Sequence, residues 1–279
     1  MFGVASDAVP TKQEVGFFAA MAPERPWIVQ SHGGSWSRAM FKNTKVGYYC
    51  KVFARFADDP ADGRRFGWRR PELVVQANRH WTGTIDYYPA STWRHIAEVN
   101  ITGDQRGVGR LGGDFWPVLT GRRDREGRIY VRFNESRWRS NDICTSLLAP
   151  GPDGPVATAR LEMMREGVQE CEARIFIEQA LLDEKLRARL GDDLAARCQA
   201  LLDERVRVML RAVSSLQLTG GKRNYATGST SWWNSPGIAG HAWWVGSGWQ
   251  ERMMKLYAAA GEVAQALKRQ SRPRKEMPR

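Results

Sequence analysis

The chain is short of the residues from which metal sites and disulfide frameworks are made: its 279 residues hold only four cysteines and four histidines. Cys50, Cys144, Cys171 and Cys198 are far apart and form no CxxC pair, which argues against a zinc knuckle and a disulfide scaffold and leaves buried free thiols as the expectation. His32, His80, His95 and His241 show neither HxxxH nor HExxH spacing, so neither a metal site nor a cofactor is expected. No apolar run approaches the roughly 20 residues that cross a bilayer, and no membrane partner is expected. The first residues, MFGVASDAVPTKQE, lack the basic start and apolar stretch of a signal peptide. They begin abruptly, as a chain cut from a longer one does, and leave localisation open.

What is present in excess is positive charge and tryptophan. The formal net charge is +12 and the isoelectric point is near 9.9, enough to attract an anionic polymer. The excess is spread through Arg-rich stretches at 63–70 and 122–128 and a tail at 268–279, without a recognisable nucleic-acid-binding motif. A solvated basic surface accounts for it, with nucleic-acid binding as the weaker alternative. Hydrophobic residues make up 42% and charged residues 26%, proportions that suit a globular domain rather than a disordered chain.

The first half alternates strand and helix signals, the pattern of parallel β/α units. Thr11 followed three residues later by Glu14 predicts a capping box on a helix reaching Met21. Trp27 to Gln30, Val46 to Phe56, Leu73 to Ala77, the glycine-rich Gly107 to Phe115 and Ile143 to Leu148 read as strands. Ser91 is an N-cap candidate for a helix from Thr92 to about Ile101. Pro150, Gly151, Pro152, Asp153, Gly154 and Pro155 predict an irregular reversal with no regular element across it. A long helix follows, with Leu161, Met164, Val168, Cys171 and Ile175 at helical spacing; Ala159, Met163, Glu166, Glu170 and Arg174 fall on neighbouring turns. Beyond it, 175–190 and 193–213 read as two further helical stretches separated at Gly191 and Asp192. In the second, Leu194, Cys198, Leu201, Leu202 and Met209 form the apolar stripe, and Asp203, Glu204, Arg205 and Arg207 lie outside it. A closing helix, Gln250 to Lys268, is expected to turn Met253, Met254, Tyr257 and Leu267 inward.

The segment PGPDGPVATARLEMMREGVQECEA resembles the end of the catalytic domain of the glycoside hydrolase family 123-like group, including its DUF4091 members. Arg160, Leu161, Glu162, Met164, Arg165, Glu166 and Gly167 carry the match. Where the group continues Ile-Glu-Asp-Tyr-Glu, this chain has Val168, Gln169, Glu170, Cys171 and Glu172. The earlier segment WRHIAEVNITGDQRGVGRLGGDFWPV is similar to the group's succession of helix, paired glycines, strand and Trp through Arg94, Gly103, Gly107 and Trp116. The resemblance implies an α/β fold of the (β/α) TIM-barrel type. Four or five strand-helix steps are too few for eight, so the expectation is a partial barrel over 1–176. A helical extension over 177–269 carries a Trp/Gly-rich loop, and 270–279 forms a basic tail.

The resemblance also implies hydrolysis of O-glycosidic bonds, of N-acetylhexosamines by a substrate-assisted route, with an adjacent Asp-Glu pair supplying the general acid and orienting the acetamido group. This chain has two such dipeptides, Asp183-Glu184 and Asp203-Glu204. Both fall on polar faces of the C-terminal helices, where solvated charge is the natural reading, and neither is carried over; the catalytic residues stay unassigned.

What the sequence does offer is a wall for a carbohydrate substrate, since sugar rings are held by aromatic platforms and bidentate polar groups. Asp114 and Trp116 end one expected strand, Arg79, His80 and Trp81 follow another, and Tyr49 with Lys51 lies on a third. Phe133, Asn134, Glu135 and Trp138 are weaker candidates. Trp232, Trp233, Trp243, Trp244 and Trp249 either fold over the pocket or anchor their stretch to the helices, the second being favoured. The rival to an enzyme is a non-catalytic carbohydrate-binding or structural module.

Overall fold

The computed structural model describes residues 2–3, 10–31, 46–51, 66–69, 73–77, 92–102, 106–109, 147–212 and 243–269. Its N-terminal part is a five-stranded parallel sheet in the order β1 to β5, formed by Phe2–Gly3, Trp27–Ser31, Val46–Lys51, Leu73–Ala77 and Gly107–Gly109. Every neighbouring pair is parallel, so all five C-terminal ends lie on one edge. Helix α1, Lys12–Met21, connects β1 to β2, and α2, Thr92–Thr102, lies between β4 and β5 in the chain. The capping box at α1 forms as expected: Glu14 N–H donates to the Thr11 hydroxyl at 3.1 Å, and Thr11 N–H donates to the Glu14 carboxylate at 2.7 Å. Among the described residues the sheet stays open, with β1 and β5 at its edges.

The expected irregular reversal at 150–155 is instead a β-hairpin, β6 Leu148–Gly151 and β7 Gly154–Ala157. Pro150 pairs with Pro155, and Gly151 with Gly154. The ladder explains why two prolines are tolerated. Thr158 N–H donates to the Leu147 carbonyl at 3.1 Å, and hydrogen-bonded pairs alternate along an antiparallel ribbon. The Pro150–Pro155 pair therefore falls at a non-bonded position, where no ladder N–H is required. Gly154, at φ +134°, follows the two-residue turn Pro152-Asp153 in a conformation that favours glycine.

Thr158 joins this hairpin to the next helix. Its hydroxyl donates to the Leu147 carbonyl at 2.8 Å and accepts from Leu161 N–H as the N-cap of α3, Ala159–Leu182. Helix α3 runs through position 176, so the boundary expected there falls inside one continuous helix. It ends at Asp183, which caps α4, Glu184–Leu190, by accepting from Leu186 N–H at 3.0 Å. Gly191, at φ +77°, then reverses the chain into α5, Asp192–Ala212. Helix α6, Trp249–Arg269, closes the fold.

Helices α3 to α6 share one apolar core: Ile177 and Ala180, Leu190, Ala195, Cys198 and Leu202, then Leu256 and Val263. Two faces differ from their sequence reading. Helix α6 turns Leu256 and Val263 inward, with Leu267 packed against the same core as expected, whereas Met254 is 64% exposed and Tyr257 is also exposed. Helix α3 leaves Val168 exposed and buries Glu170, Arg174 and Glu178. Its charged stripe is buried beside Cys171, Ile177 and Ala180 because α2 and α5 supply opposite charges to Glu170 and Arg174.

Candidate functional site

Two places can carry function, the C-terminal edge of the sheet and the charged contact between α2 and α3. At the sheet edge, Ala77 and Gly109 are paired as the last residues of β4 and β5. Strands β4 and β5, which precede Arg79, His80 and Trp81 and Asp114 and Trp116 in the chain, thus end side by side. Those five residues themselves, and Phe133 to Trp138, Trp232 and Trp233, lie outside the described residues, as does the basic tail over 270–279. The backbone of Tyr49 is described: it sits within β3, opposite Val29 of β2 and Val74 of β4.

The second place is built from helical spacing. Helix α2 carries Arg94, Glu98 and Thr102 four residues apart, and α3 carries Glu166, Glu170, Arg174 and Glu178 at the same interval, so each set forms one stripe. The two stripes face each other. Arg94 Nε donates to Glu170 at 2.6 Å, and its Nη1 pairs with Glu166. Arg174 donates to Glu98 at 3.2 Å, to Glu178 at 2.9 Å and to the Thr102 hydroxyl at 2.6 Å. From α5, Arg205 grips Glu98 with two bonds of 2.6 and 2.7 Å and also reaches Glu170. Glu178 accepts in addition from the indole N–H of Trp68, in the 3₁₀ turn Gly67–Arg69, at 2.7 Å.

The side chains of Arg174 and Glu98 are 0% and 2% exposed. Gly167 makes this closeness possible, since a Cβ there would collide with the carbonyl and Cα of Arg94. The residues of the two motif segments, Arg94 with Glu166 and Gly167, therefore meet at a helix crossing. Burial pushes the Glu98 carboxyl up, but Arg205 and Arg174 more than offset it and hold the group below the ordinary glutamate value. Burial and the nearby Glu98 push the Cys171 thiol far above its usual range, which makes it a packing residue rather than a nucleophile.

Aromatic residues continue the joint toward α6. The Arg94 guanidinium lies 4.3 Å from the Trp249 ring centre, Trp249 stacks on Trp244 at 4.9 Å, and His95 meets the edge relation of Trp244 at 3.9 Å. Trp244 is buried with Val208, and Trp243 packs beside it. For these tryptophans the anchoring reading holds. A shallow open recess lies alongside, lined by Leu201, Val208, Met209 and the two stacked tryptophans together with Glu204 and Arg252. Its charged groups are already engaged: Arg252 pairs with Glu204 at 3.2 Å and Arg205 with Glu98.

Neither Asp-Glu dipeptide forms a proton-transfer pair. Asp183 is a helix cap and Glu184 is exposed; Asp203 accepts from Gln199 at 2.9 Å, and Glu204 is held by Arg252. Both stand on solvated surfaces, as the sequence suggests. Cys171 and Cys198 are free and buried, and among the described residues no His, Cys, Asp and Glu group has metal-binding geometry. No helix of the described residues is long and apolar enough to cross a membrane.

Sequence reasoning missed the inward role of Glu98, Glu170, Arg174, Glu178 and Arg205. The signal was available in the four-residue spacing of opposite charges on two segments, together with a glycine in the middle of one of them. No protein-family model, no curated protein and no solved structure matches this chain.

Proposed function

We propose that the chain is the C-terminal portion of a (β/α) barrel resembling family 123 glycoside hydrolases, and that it contributes a carbohydrate-binding edge to a protein that hydrolyses O-glycosidic bonds of N-acetylhexosamines. The pairing of Ala77 with Gly109 carries the reading. It sets side by side the C-terminal ends of the two strands that precede Arg79–Trp81 and Asp114–Trp116 in the chain, at the edge where parallel α/β proteins bind ligands. The sheet order supports the barrel: five parallel strands run in chain order without the reversal that marks a doubly wound sheet.

In this reading Asp114 accepts from sugar hydroxyls, Trp116 and Trp81 offer ring platforms, and Arg79 and His80 donate, with Tyr49 on the neighbouring strand. The test is release of chromophore from a chromogenic N-acetylgalactosaminide or N-acetylglucosaminide. Turnover that falls in an Asp114→Ala variant supports the reading, and turnover untouched by that change removes Asp114 from the site.

A second reading, a carbohydrate-binding or structural module without catalysis, is favoured by the engagement of Asp183, Asp203 and Glu204 in caps and surface pairs. It predicts sugar-dependent quenching of tryptophan fluorescence with no turnover.

A further inference from the structure

The helical part of the molecule is held together in two chemically different ways. Ile177, Ala180, Leu190, Ala195, Cys198, Leu202, Leu256 and Val263 join α3 to α6 through apolar packing. By contrast, the face that α2 presents to α3 and α5 is Arg94, Glu98 and Thr102, all buried and all engaged with charged groups of those helices. Apolar packing does not respond to protons, whereas a buried carboxylate shared by two arginines does.

We propose that the α2 contact is an acid-released joint: protonation of its carboxylates frees α2 from α3 and α5 while the apolar bundle of α3 to α6 stays folded. Glu98 is the keystone because it accepts from both Arg174 and Arg205. Protonating it leaves Arg174 and Arg205, two permanent charges, against a neutral group. From α3, the facing groups are Glu166, Glu170, Cys171, Arg174 and Glu178; from α5, Arg205; and from the 3₁₀ turn, Trp68 on Glu178. From α6, Tyr257 lies within electrostatic reach of Glu170 and Arg94. On α2 itself, His95 faces Trp244. Glu166 is half exposed and gives protons access from solvent.

The direction is fixed by the carboxyl of Glu98. Its value in the folded chain lies below the ordinary 4.5, so the stabilisation is complete above that pH and is lost as pH falls through the lower, folded value. Release therefore occurs below about pH 4.5. Because β5 follows α2 in the chain and lies against it, release also loosens the sheet edge from the bundle.

Hydrogen exchange of the full chain, read by peptide mass spectrometry from pH 7 down to pH 3 and corrected for intrinsic rates, tests the joint. Peptides covering 92–102 should lose protection about tenfold or more at a pH where peptides covering 184–202 and 256–263 remain protected. A Glu98→Gln variant should show α2 unprotected already at pH 7, whereas Glu262→Gln, which alters an exposed pair with Arg197, should behave as the parent. Loss of protection in all helices at one pH overturns the proposal, as does full protection of 92–102 in Glu98→Gln. Should that variant fail to fold, the titration of the parent chain decides alone.

Discussion

Replacing Gly167 by alanine tests the helix crossing on which the charged joint depends. The added methyl meets the carbonyl oxygen, carbonyl carbon and Cα of Arg94, backbone atoms that no rotamer change can move. Helix α2 must lift away from α3. Overpacking of this kind costs about 1–3 kcal/mol, and the shift also stretches the Arg94–Glu170 and Arg174–Glu98 contacts, now 2.6 and 3.2 Å. Each such charged hydrogen bond contributes about 1.5–3 kcal/mol. The gain from removing a helical glycine offsets only about 1 kcal/mol. The net loss should be about 3 kcal/mol, a large share of the roughly 5–15 kcal/mol that domains possess. Urea unfolding at pH 7, followed by far-UV circular dichroism, should show the midpoint falling by about 1 M or more. Gly261→Ala in α6 is the internal control: nothing lies within 4 Å of its added methyl, so it should gain about 0.5–1 kcal/mol. A Gly167→Ala protein as stable as its parent would refute the reasoning.

Glu98→Gln should cost about 3–5 kcal/mol in the same unfolding assay, the usual effect of removing one partner from a buried ion pair; a loss under about 1 kcal/mol would mean that the pairs with Arg174 and Arg205 are not stabilising. Leu202→Ala, at the fully buried centre of the apolar bundle, should cost about 2–5 kcal/mol, and a smaller loss would place the core elsewhere. Cys171, buried and with its thiol pushed up by burial and by Glu98, should be alkylated at pH 8 only when urea unfolds the chain. Labelling of the Cys171 peptide in the native protein, at the rate of a free thiol, would contradict its burial.

The elements with local signals were legible. The Thr11–Glu14 capping box, the starts of β2 to β4, and the α2 helix all follow from patterns within a few residues. Three features were not, and each has a physical cause. The 148–157 hairpin hides behind its prolines because only the ladder's alternation shows that Pro150 and Pro155 face a non-bonded position. The inner face of α3 takes in Glu170 and Arg174 beside its apolar residues because Arg94, Arg205 and Glu98, 35 to 76 positions away, neutralise them. Periodicity within one helix cannot reveal a partner on another. The inward face of α6 was legible at Leu267 but not at Met254 and Tyr257, which are exposed while Leu256 and Val263 pack. For the candidate site, the end of β4 at Ala77 and the start of β5 at Gly107 were legible, whereas the strand expected to run to Phe115 is described only to Gly109.

Calorimetric titration of the full chain with N-acetylgalactosamine and N-acetylglucosamine tests the central claim most directly. The account predicts saturable heat of binding for one of them, lost in Asp114→Ala and in Trp116→Ala while both variants keep the parent's circular dichroism. Absence of binding by the folded parent chain, or binding undiminished in both variants, would contradict a carbohydrate site at the C-terminal edge of the sheet.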